Sequence, residues 1–286
     1  MTVRVLVVGI GSGDPGHLTG EAVAALNAVD VFLVADKRAA TRDLVTLRVE
    51  LCAAVITHDR YRFVEVPDPE RGPDAERGSA AYTQAVRDWH AERARRHADA
   101  ITREVGADGT VGMLVWGDPS LYDSTLRVIE AVGELLRSGF RSASDGNPPG
   151  GVGGRPPSGQ GAADLELDVT VVPGISSVSL LAARHRIALN RVGQPVHVTT
   201  GRRLLDEYDP RLGDVVVMLD GDLACAGLVD AHPDLEIFWG AQLGLVDEAL
   251  VHGRLADVLP ELRSRREAVR AARGWVMDTY LLRPGS

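Results

Sequence analysis

The first residues of the chain constrain the fold most strongly, because residues 3–8 form a run rich in valine and leucine. This run leads directly into a loop with glycine at positions 9, 11 and 13. The pattern predicts a buried strand followed by a tight turn. Thr19 is a suitable N-cap for a short helix, and residues 31–35 predict a second strand. A strand, a helix and a strand in this order predict the beginning of a mainly parallel sheet.

The rest of the first half continues this alternation. Residues 65–78 are rich in Pro, Gly and acidic side chains and predict a loop, and a long polar helix is expected over 79–104. The residues expected to face inward on this helix are Ala85, Trp89 and Ile101. The residues expected on its solvated face are Arg93, Arg95 and Arg96. A buried strand over 110–116 and an amphipathic helix over 124–137 complete the predicted N-terminal domain.

The organisation of the chain is indicated by residues 138–163, which are dominated by Gly, Pro and Ser. Such a composition buries too little apolar surface to pack, so we expect a flexible connector. It separates an N-terminal α/β domain, 1–137, from a C-terminal α/β domain, 164–286. In the second domain a helix is predicted over 176–185. Strands are predicted there at 167–172, 196–199, 215–219, 237–239 and 274–281, the last of them antiparallel.

Charge and composition disfavour several classes of protein. The formal net charge is −9, which argues against a nucleic-acid partner because such binding depends on clustered Lys and Arg. Neither an export signal nor an apolar run of about 18 residues is present, so we expect a cytoplasmic protein that does not enter a membrane. Cys52 and Cys225 lie near no histidine cluster, which favours buried reduced thiols over a disulfide or a metal site.

The glycine loop after the first strand suggests a nucleotide at first sight. Gly9 and Gly11 match the start of a dinucleotide-binding fingerprint, and Asp36 ends the second strand where a ribose-binding acid would lie. However, Asp14 and Pro15 occupy the place of the third glycine, where a carboxylate would repel a diphosphate. The loop therefore indicates a ligand without phosphate, such as S-adenosylmethionine, while a simple tight turn remains an alternative.

Three blocks of sequence, at 8–15 with Leu18 and Thr19, at 116–122 and at 172–177, resemble the motifs of the tetrapyrrole methylase family in the same order and at strand ends. The resemblance implies an α/β protein of two unlike α/β domains with the ligand in the cleft between them. It also implies S-adenosylmethionine as the methyl donor without a metal, a tetrapyrrole substrate and a homodimer. Many family members have proline where Ser12 stands and glycine where Trp116 stands.

The resemblance also assigns residues to the methyl donor, position by position. The first two motifs imply contacts from Ser12, Trp116, Gly117, Asp118 and Leu121. The third motif and two later loops imply contacts from Ser176, Ser177, Met218, Leu219, Ala241 and Leu243, with Met218 and Leu219 as competing matches to one family position.

Within the family, residues 36–38, 43–48 and 61–71 resemble the member that methylates precorrin-5 at C-1 and releases an acetyl group as acetate. Removal of the acetyl group adds water to a carbonyl, which a positioned acid or base can assist. The candidates for this role are Asp14, Asp36, Asp118 and His58. A turn-forming role for Asp118 and a structural role for His58 are the alternatives.

A tetrapyrrole substrate carries many carboxylates, whereas this chain is acidic. Its recognition therefore depends on local arginines, whose planar guanidinium groups pair with carboxylates. The candidates for substrate binding are Arg38, Arg42, Arg62 and Arg184, with Arg186 and Arg191 nearby in the sequence.

Three other functions are compatible with the sequence. A nicotinamide-dependent oxidoreductase would use Gly9, Gly11 and Asp36, but it leaves the second and third blocks unexplained. A regulatory module would bind S-adenosylmethionine without turnover. A methylase of the same family would act on a different ring carbon or on another acceptor.

Overall fold

The computed structural model describes residues 1–36, 42–69, 80–105, 108–140 and 165–285, with only the backbone at 36, 42, 43 and 80–83. The chain forms two compact units. The N-terminal unit comprises Met1–Ile10 and Leu18–Gly174, and the C-terminal unit comprises Gly11–His17 and Ile175–Ser286. The glycine loop after the first strand therefore packs with the second half of the chain. Most of the expected connector, from 141 to 163, lies outside the described residues.

The N-terminal unit is built on a five-stranded sheet in which all paired strands are parallel, as predicted. Its strands are β1 (Thr2–Gly9), β2 (Val31–Asp36), β3 (Arg62–Pro67), β4 (Thr110–Val115) and β5 (Glu166–Val172). Their order across the sheet is β3-β2-β4-β1-β5. The helices of this unit are α1 (Gly20–Leu26), α2 (Arg42–Val55), α3 (Ala80–Glu104) and α4 (Thr125–Arg137).

The predicted domain boundary at 164 is wrong, because β5 completes the N-terminal sheet. β5 pairs in parallel with β1 over seven residues, from Thr2 beside Glu166 to Val8 beside Val172. The chain passes finally into the C-terminal unit after Gly174. A boundary drawn from the connector composition could not anticipate this long-range pairing.

Two helices of the N-terminal unit illustrate how the sequence specifies them. The Thr19 hydroxyl accepts a hydrogen bond from the Ala22 amide at 3.0 Å, so Thr19 caps α1 as predicted. In α4 the buried residues recur at helical spacing on one face, which packs on the sheet. These buried residues are Val128, Ile129, Val132, Gly133 and Leu136.

The helix α3 differs from its prediction at two positions. Ala85 is exposed, whereas Ile101 is buried as expected. Arg93 is only 8% exposed and forms an ion pair with Asp68 at 2.8 Å between Nε and Oδ1. Its guanidinium also lies 4.6 Å from the centre of the Trp89 ring. Arg93 is therefore a buried, paired cation that joins α3 to the loop after β3, and not part of a solvated face.

The C-terminal unit contains a five-stranded mixed sheet in the order β6-β7-β10-β8-β9. Its strands are β6 (Val196–Thr200), β7 (Asp214–Met218), β8 (Glu236–Ala241), β9 (Ala249–Arg254) and β10 (Asp278–Arg283). Its helices are α5 (Ser177–His185), α6 (Gly201–Glu207) and α7 (Leu255–Arg273). The last strand is antiparallel as predicted, and it lies in the middle of the sheet between β7 and β8. The strand β9 and the helices α6 and α7 were not predicted.

Two further predictions concern the whole chain. Cys52 and Cys225 are both free and buried, which confirms the prediction of reduced thiols. Among the described residues, no helix is long and apolar enough to cross a membrane.

A buried polar network connects α7 to the sheet of the C-terminal unit. Arg266 pairs with Asp278 at 2.8 Å, and their side chains are only 10% and 3% exposed. The Arg266 guanidinium also donates to the carbonyl of Asp220 at 2.7 Å. The Tyr280 hydroxyl donates to the Asp220 carboxylate at 2.5 Å. The network therefore fixes the turn that follows β7.

Removal of one partner of this ion pair should destabilise the protein strongly. We expect Arg266→Met to lower the free energy of unfolding by about 3–5 kcal/mol, because Asp278 would be left as a buried, uncompensated charge. Arg265→Met is a matched control on the same helix, since Arg265 pairs with Glu261 while both side chains are about half exposed. Its expected cost is at most about 1 kcal/mol. Urea denaturation of both variants measures the difference, and equal losses would contradict the expectation.

Candidate functional site

Three glycines from the three sequence motifs meet in the N-terminal unit. A Cβ on Gly9 would lie 2.5 Å from the Gly174 nitrogen and 2.9 Å from the Gly117 carbonyl oxygen. A Cβ on Gly174 would in turn overlap that same oxygen. Because β1 lies between β4 and β5, the turns after these three strands come together at the carboxyl edge of the sheet. Ligands of open parallel sheets bind at this edge.

Asp118 holds these turns together through both of its carboxylate oxygens. Oδ2 accepts from the Gly174 amide at 3.0 Å, while Oδ1 accepts from the Ser120 amide at 2.8 Å and from the Ser120 hydroxyl. Burial alone would raise the pKa of Asp118, but the hydrogen bonds from Ser120 and Gly174 outweigh it and lower this pKa. An ionised carboxylate with these partners favours the turn-forming role over an acid that donates a proton.

Trp116 and Arg48 lie together in the N-terminal unit, where Trp116 directly follows β4. The Arg48 guanidinium lies 4.9 Å from the centre of the Trp116 ring, and its NH1 donates to the Leu44 carbonyl at 3.1 Å. Burial lowers the pKa of Arg48 to about 10, which the charge of Asp123 partly opposes. Among the described residues, Nε and NH2 of Arg48 have no hydrogen-bond partner. Arg48 was noted only for its family resemblance and was missed as a binding candidate.

The turn 11–17 in the C-terminal unit contains the predicted Ser12 and Asp14. Asp14 Oδ1 accepts from the Gly16 amide at 2.8 Å, and the Asp14 carbonyl accepts from the His17 amide at 2.9 Å. Ser12 Oγ lies 2.8 Å from His17 Nδ1. The contact to His17 was missed by the sequence analysis, because an isolated histidine in a loop gives no signal of its partner.

The other predicted donor residues of the C-terminal unit lie at the ends of its elements. Ser176 caps α5, since its hydroxyl accepts from the Ser179 amide at 3.1 Å, and Ser177 Oγ accepts from the Thr279 hydroxyl at 3.0 Å. Met218 ends β7 and Leu219 follows it with a φ of +54°. Ala241 ends β8, and both Ala241 and Leu243 are buried. Of the competing matches, Leu219 is the more accessible, with 58% exposure.

His58 and Arg62 lie at the opposite edge of the N-terminal sheet, which corrects their assignment to the same site as the motifs. The Arg62 amide donates to the Asp30 carbonyl just before β2, and His58 Nε2 lies 2.9 Å from the Asn27 carbonyl oxygen. Arg62 also pairs with Glu104 at 2.8 Å. A six-residue strand separates the two edges by about 20 Å. Sequence patterns identified the residue types but not the edge on which the chain places them.

The remaining predicted residues either lie outside the described residues or already have an ion-pair partner. The side chains of Asp36 and Arg42 and the whole of Arg38 lie outside the described residues. Arg184 Nε donates to both oxygens of Glu248, at 3.0 and 2.8 Å, so its charge is already paired. Arg191 pairs with the buried Asp214 at 3.2 Å.

Comparison with known proteins identifies the family of this chain. The model of the tetrapyrrole (corrin/porphyrin) methylases matches residues 4–137 and 160–259. A precorrin-6A synthase (deacetylating) from Sinorhizobium sp is 38% identical over 283 residues, with 99% of this chain and 96% of the relative covered. The chain belongs to the tetrapyrrole methylase family.

Solved structures agree with this assignment. A cobalamin synthesis related protein (CobF) from Corynebacterium diphtheriae has a TM-score of 0.77 and 33% identity, with 100% of both chains covered. A uroporphyrin-III C-methyl transferase from Thermus thermophilus, complexed with S-adenyl homocysteine, has a TM-score of 0.53 and 20% identity. It covers 98% of this chain and 91% of its own, and supports the fold alone. The predicted α/β class, the fold and the family are confirmed.

The close approach of the three glycine backbones in this tetrapyrrole methylase can be tested by mutation. We expect Gly174→Ala to lower the free energy of unfolding by about 1–3 kcal/mol, because the added methyl group must displace backbone atoms of Gly9 and Gly117. Gly20→Ala is a control in the same unit, since a Cβ there meets nothing within 4 Å. Its expected effect is within about 0.5 kcal/mol. Urea denaturation measures both, and a neutral Gly174→Ala variant would contradict the close approach.

Proposed function

We propose that this tetrapyrrole methylase transfers a methyl group from S-adenosylmethionine to C-1 of precorrin-5 and releases the acetyl group as acetate, giving precorrin-6A. The observation that carries the proposal is the convergence of the three family motifs at Gly9, Gly117 and Gly174. The similarity to a precorrin-6A synthase over nearly the whole chain supports the substrate and the loss of acetate.

The turn 11–17 fits a donor without phosphate groups. A diphosphate needs free backbone amides, whereas the Gly16 amide already donates to Asp14 Oδ1 and the His17 amide to the Asp14 carbonyl. The Asp14 carboxylate also adds negative charge where a diphosphate would need positive charge. These contacts favour a sulfonium donor over a nicotinamide dinucleotide. Membership of the tetrapyrrole methylase family supports the same class of donor.

We propose that the donor contacts are made by the residues that the family motifs indicate. They are Ser12, Trp116, Gly117, Asp118, Leu121, Ser176, Ser177, Ala241, Leu243 and one of the competing matches Met218 and Leu219. Bound S-adenosylmethionine supplies a methyl group on a sulfur that is already an excellent leaving group. The chain contributes mainly orientation and exclusion of water. Asp118 orients the turn after β4 through the Ser120 and Gly174 amides.

Recognition of the acidic substrate is assigned to Arg48. Among the described residues its Nε and NH2 have no hydrogen-bond partner, and the Trp116 ring and the Leu44 carbonyl fix its orientation. A partly buried guanidinium with two unused donors suits a carboxylate, because charge-assisted hydrogen bonds strengthen where water is excluded. We further propose that the enzyme acts as a homodimer in the cytoplasm, in line with the family resemblance and the sequence.

The reaction is tested by mass spectrometry of the products formed from precorrin-5 and a donor with an isotopically labelled methyl group. We expect one labelled methyl group in each product and one acetate released for each methyl group transferred. Labelled product without acetate would indicate methylation at another ring carbon and would contradict the proposal. Binding of the donor without any product would indicate a regulatory module, and quenching of NADH fluorescence at micromolar protein would indicate an oxidoreductase.

The role of Arg48 is tested with Arg48→Met, which keeps the length of the side chain and removes its charge. We expect KM for precorrin-5 to rise at least about 10-fold, because a hydrogen-bonded ionic contact with the substrate is lost. The Kd of S-adenosylhomocysteine should stay within about 2-fold. Arg62→Met is the control at the opposite edge and should leave KM unchanged. An increase in the Kd of S-adenosylhomocysteine with unchanged KM would place the donor's carboxylate at Arg48 and contradict this assignment.

A further inference from the structure

The turn 11–17 brings a hydroxyl and an imidazole together in the C-terminal unit. Gly11 and Gly13 have φ angles of +60° and +97°, which turn the chain back on itself. The hydrogen bond from the His17 amide to the Asp14 carbonyl closes the turn. As a result Ser12 Oγ and His17 Nδ1, five residues apart, lie at 2.8 Å. A hydroxyl and an imidazole at this distance are typical of sites that move a proton.

Gly244, in the loop after β8, packs against this pair. Gly244 has a φ of +79°, and a Cβ on it would overlap Ser12 Oγ and lie 2.6 Å from His17 Cε1. The Gly244 amide donates to Glu248 Oε2 at 2.6 Å, and Arg184 holds the Glu248 carboxylate through Nε. A charged pair thus fixes the glycine that packs against the two side chains.

The hydrogen bond at Nδ1 determines what the other ring nitrogen of His17 can do. In the tautomer with hydrogen on Nδ1, the ring donates to Ser12 Oγ and leaves a lone pair on Nε2. Within the part of the chain that the structure describes, Nε2 has no hydrogen-bond partner, and the His17 side chain is only partly buried. Nε2 is therefore able to accept a proton from a water molecule.

The proposed reaction consists of methyl transfer and loss of the acetyl group, and only the second of these needs a general base. Methyl transfer from a sulfonium requires no base, whereas loss of the acetyl group requires a water molecule to be deprotonated as it adds to the carbonyl. We propose that His17 is the general base that deprotonates this water, with Ser12 as the positioning residue that orients the imidazole. This inference rests on the proposed function. It assigns the loss of the acetyl group to His17 and Ser12, which are not among the acid and base candidates named from the sequence.

The step balances in atoms and electrons. The water oxygen bonds to the acetyl carbon, and one water proton passes to His17 Nε2. The bond between C-1 and the acetyl carbon breaks, and its electron pair stays on C-1. This electron pair forms the new bond to the methyl group, while the electrons of the carbon–sulfur bond return to sulfur. Acetic acid, the methylated ring, the neutral thioether and one proton are the products.

The experiment compares the wild-type enzyme with His17→Gln, which keeps a polar group of similar reach near Ser12 but cannot take a proton. Acetate release and labelled-methyl transfer from precorrin-5 are measured at saturating donor, and the Kd of S-adenosylhomocysteine is measured by calorimetry. We expect kcat for acetate release to fall at least about 100-fold, the usual contribution of a general base. The Kd should stay within about 3-fold.

Two further variants separate catalysis from loop structure. In His17→Ala, added imidazole should restore acetate release, which a purely structural histidine would not allow. Gly244→Ala should impair acetate release because its methyl group displaces Ser12 and His17. Gly193→Ala is its matched control in the same unit, since Gly193 has a φ of +71° and nothing within 4 Å of a Cβ.

The outcomes distinguish a failure of the proposed function from a failure of the role proposed for His17. A wild-type enzyme that releases no acetate and transfers no methyl group would refute the proposed function itself. An active wild-type enzyme with acetate release within 3-fold in His17→Gln would refute only the role of His17. An acetyl group trapped on Ser12, detected as a mass increase of the peptide containing it, would replace the water route with a covalent one and overturn the inference.

Discussion

The strand β1 lies between β4 and β5, and its last residue, Gly9, approaches Gly174 so closely that no side chain fits between the two backbones. This contact places three turns at one edge of the parallel sheet. Asp118 then joins the turn after β4 to the turn after β5 through the Gly174 amide. The spacing of the three sequence motifs follows from this arrangement, because each motif is the turn that leaves one of three neighbouring strands.

Local features of the sequence predicted local structure well. The Thr19 cap, the amphipathic helix α4 and most strands follow from side-chain periodicity and from single hydrogen bonds between residues close in sequence. The strand β3 was missed, because its last residues fall in the acidic, Pro-rich stretch that predicted a loop. The pairing of β5 with β1 could not be obtained in this way, since it joins residues more than 160 positions apart. A connector rich in Gly and Pro indicates a break in packing, but it does not indicate with which of the two sheets the next strand pairs.

The candidate site was predicted in part for the same reason. The motif residues Gly117, Asp118 and Ser176 lie at strand or helix ends, where the family resemblance placed them. His58 and Arg62 were assigned from residue type alone, and the sheet puts them at its other edge. Two contacts escaped the sequence analysis, between Ser12 and His17 and between Arg48 and Trp116. The first depends on how the backbone turns and the second on how the helix α2 packs, and a residue list encodes neither.

The arginines show how an acidic protein can bind an acidic substrate. Arg62, Arg184 and Arg191 each pair with a carboxylate of the chain, so their charges are largely neutralised locally. The number of arginines therefore says little about where a carboxylate can bind. What matters is a guanidinium whose orientation is fixed while some of its donors stay unused. Arg48 meets this condition because the Trp116 ring and a backbone carbonyl hold it, whereas no carboxylate within hydrogen-bond distance among the described residues neutralises it.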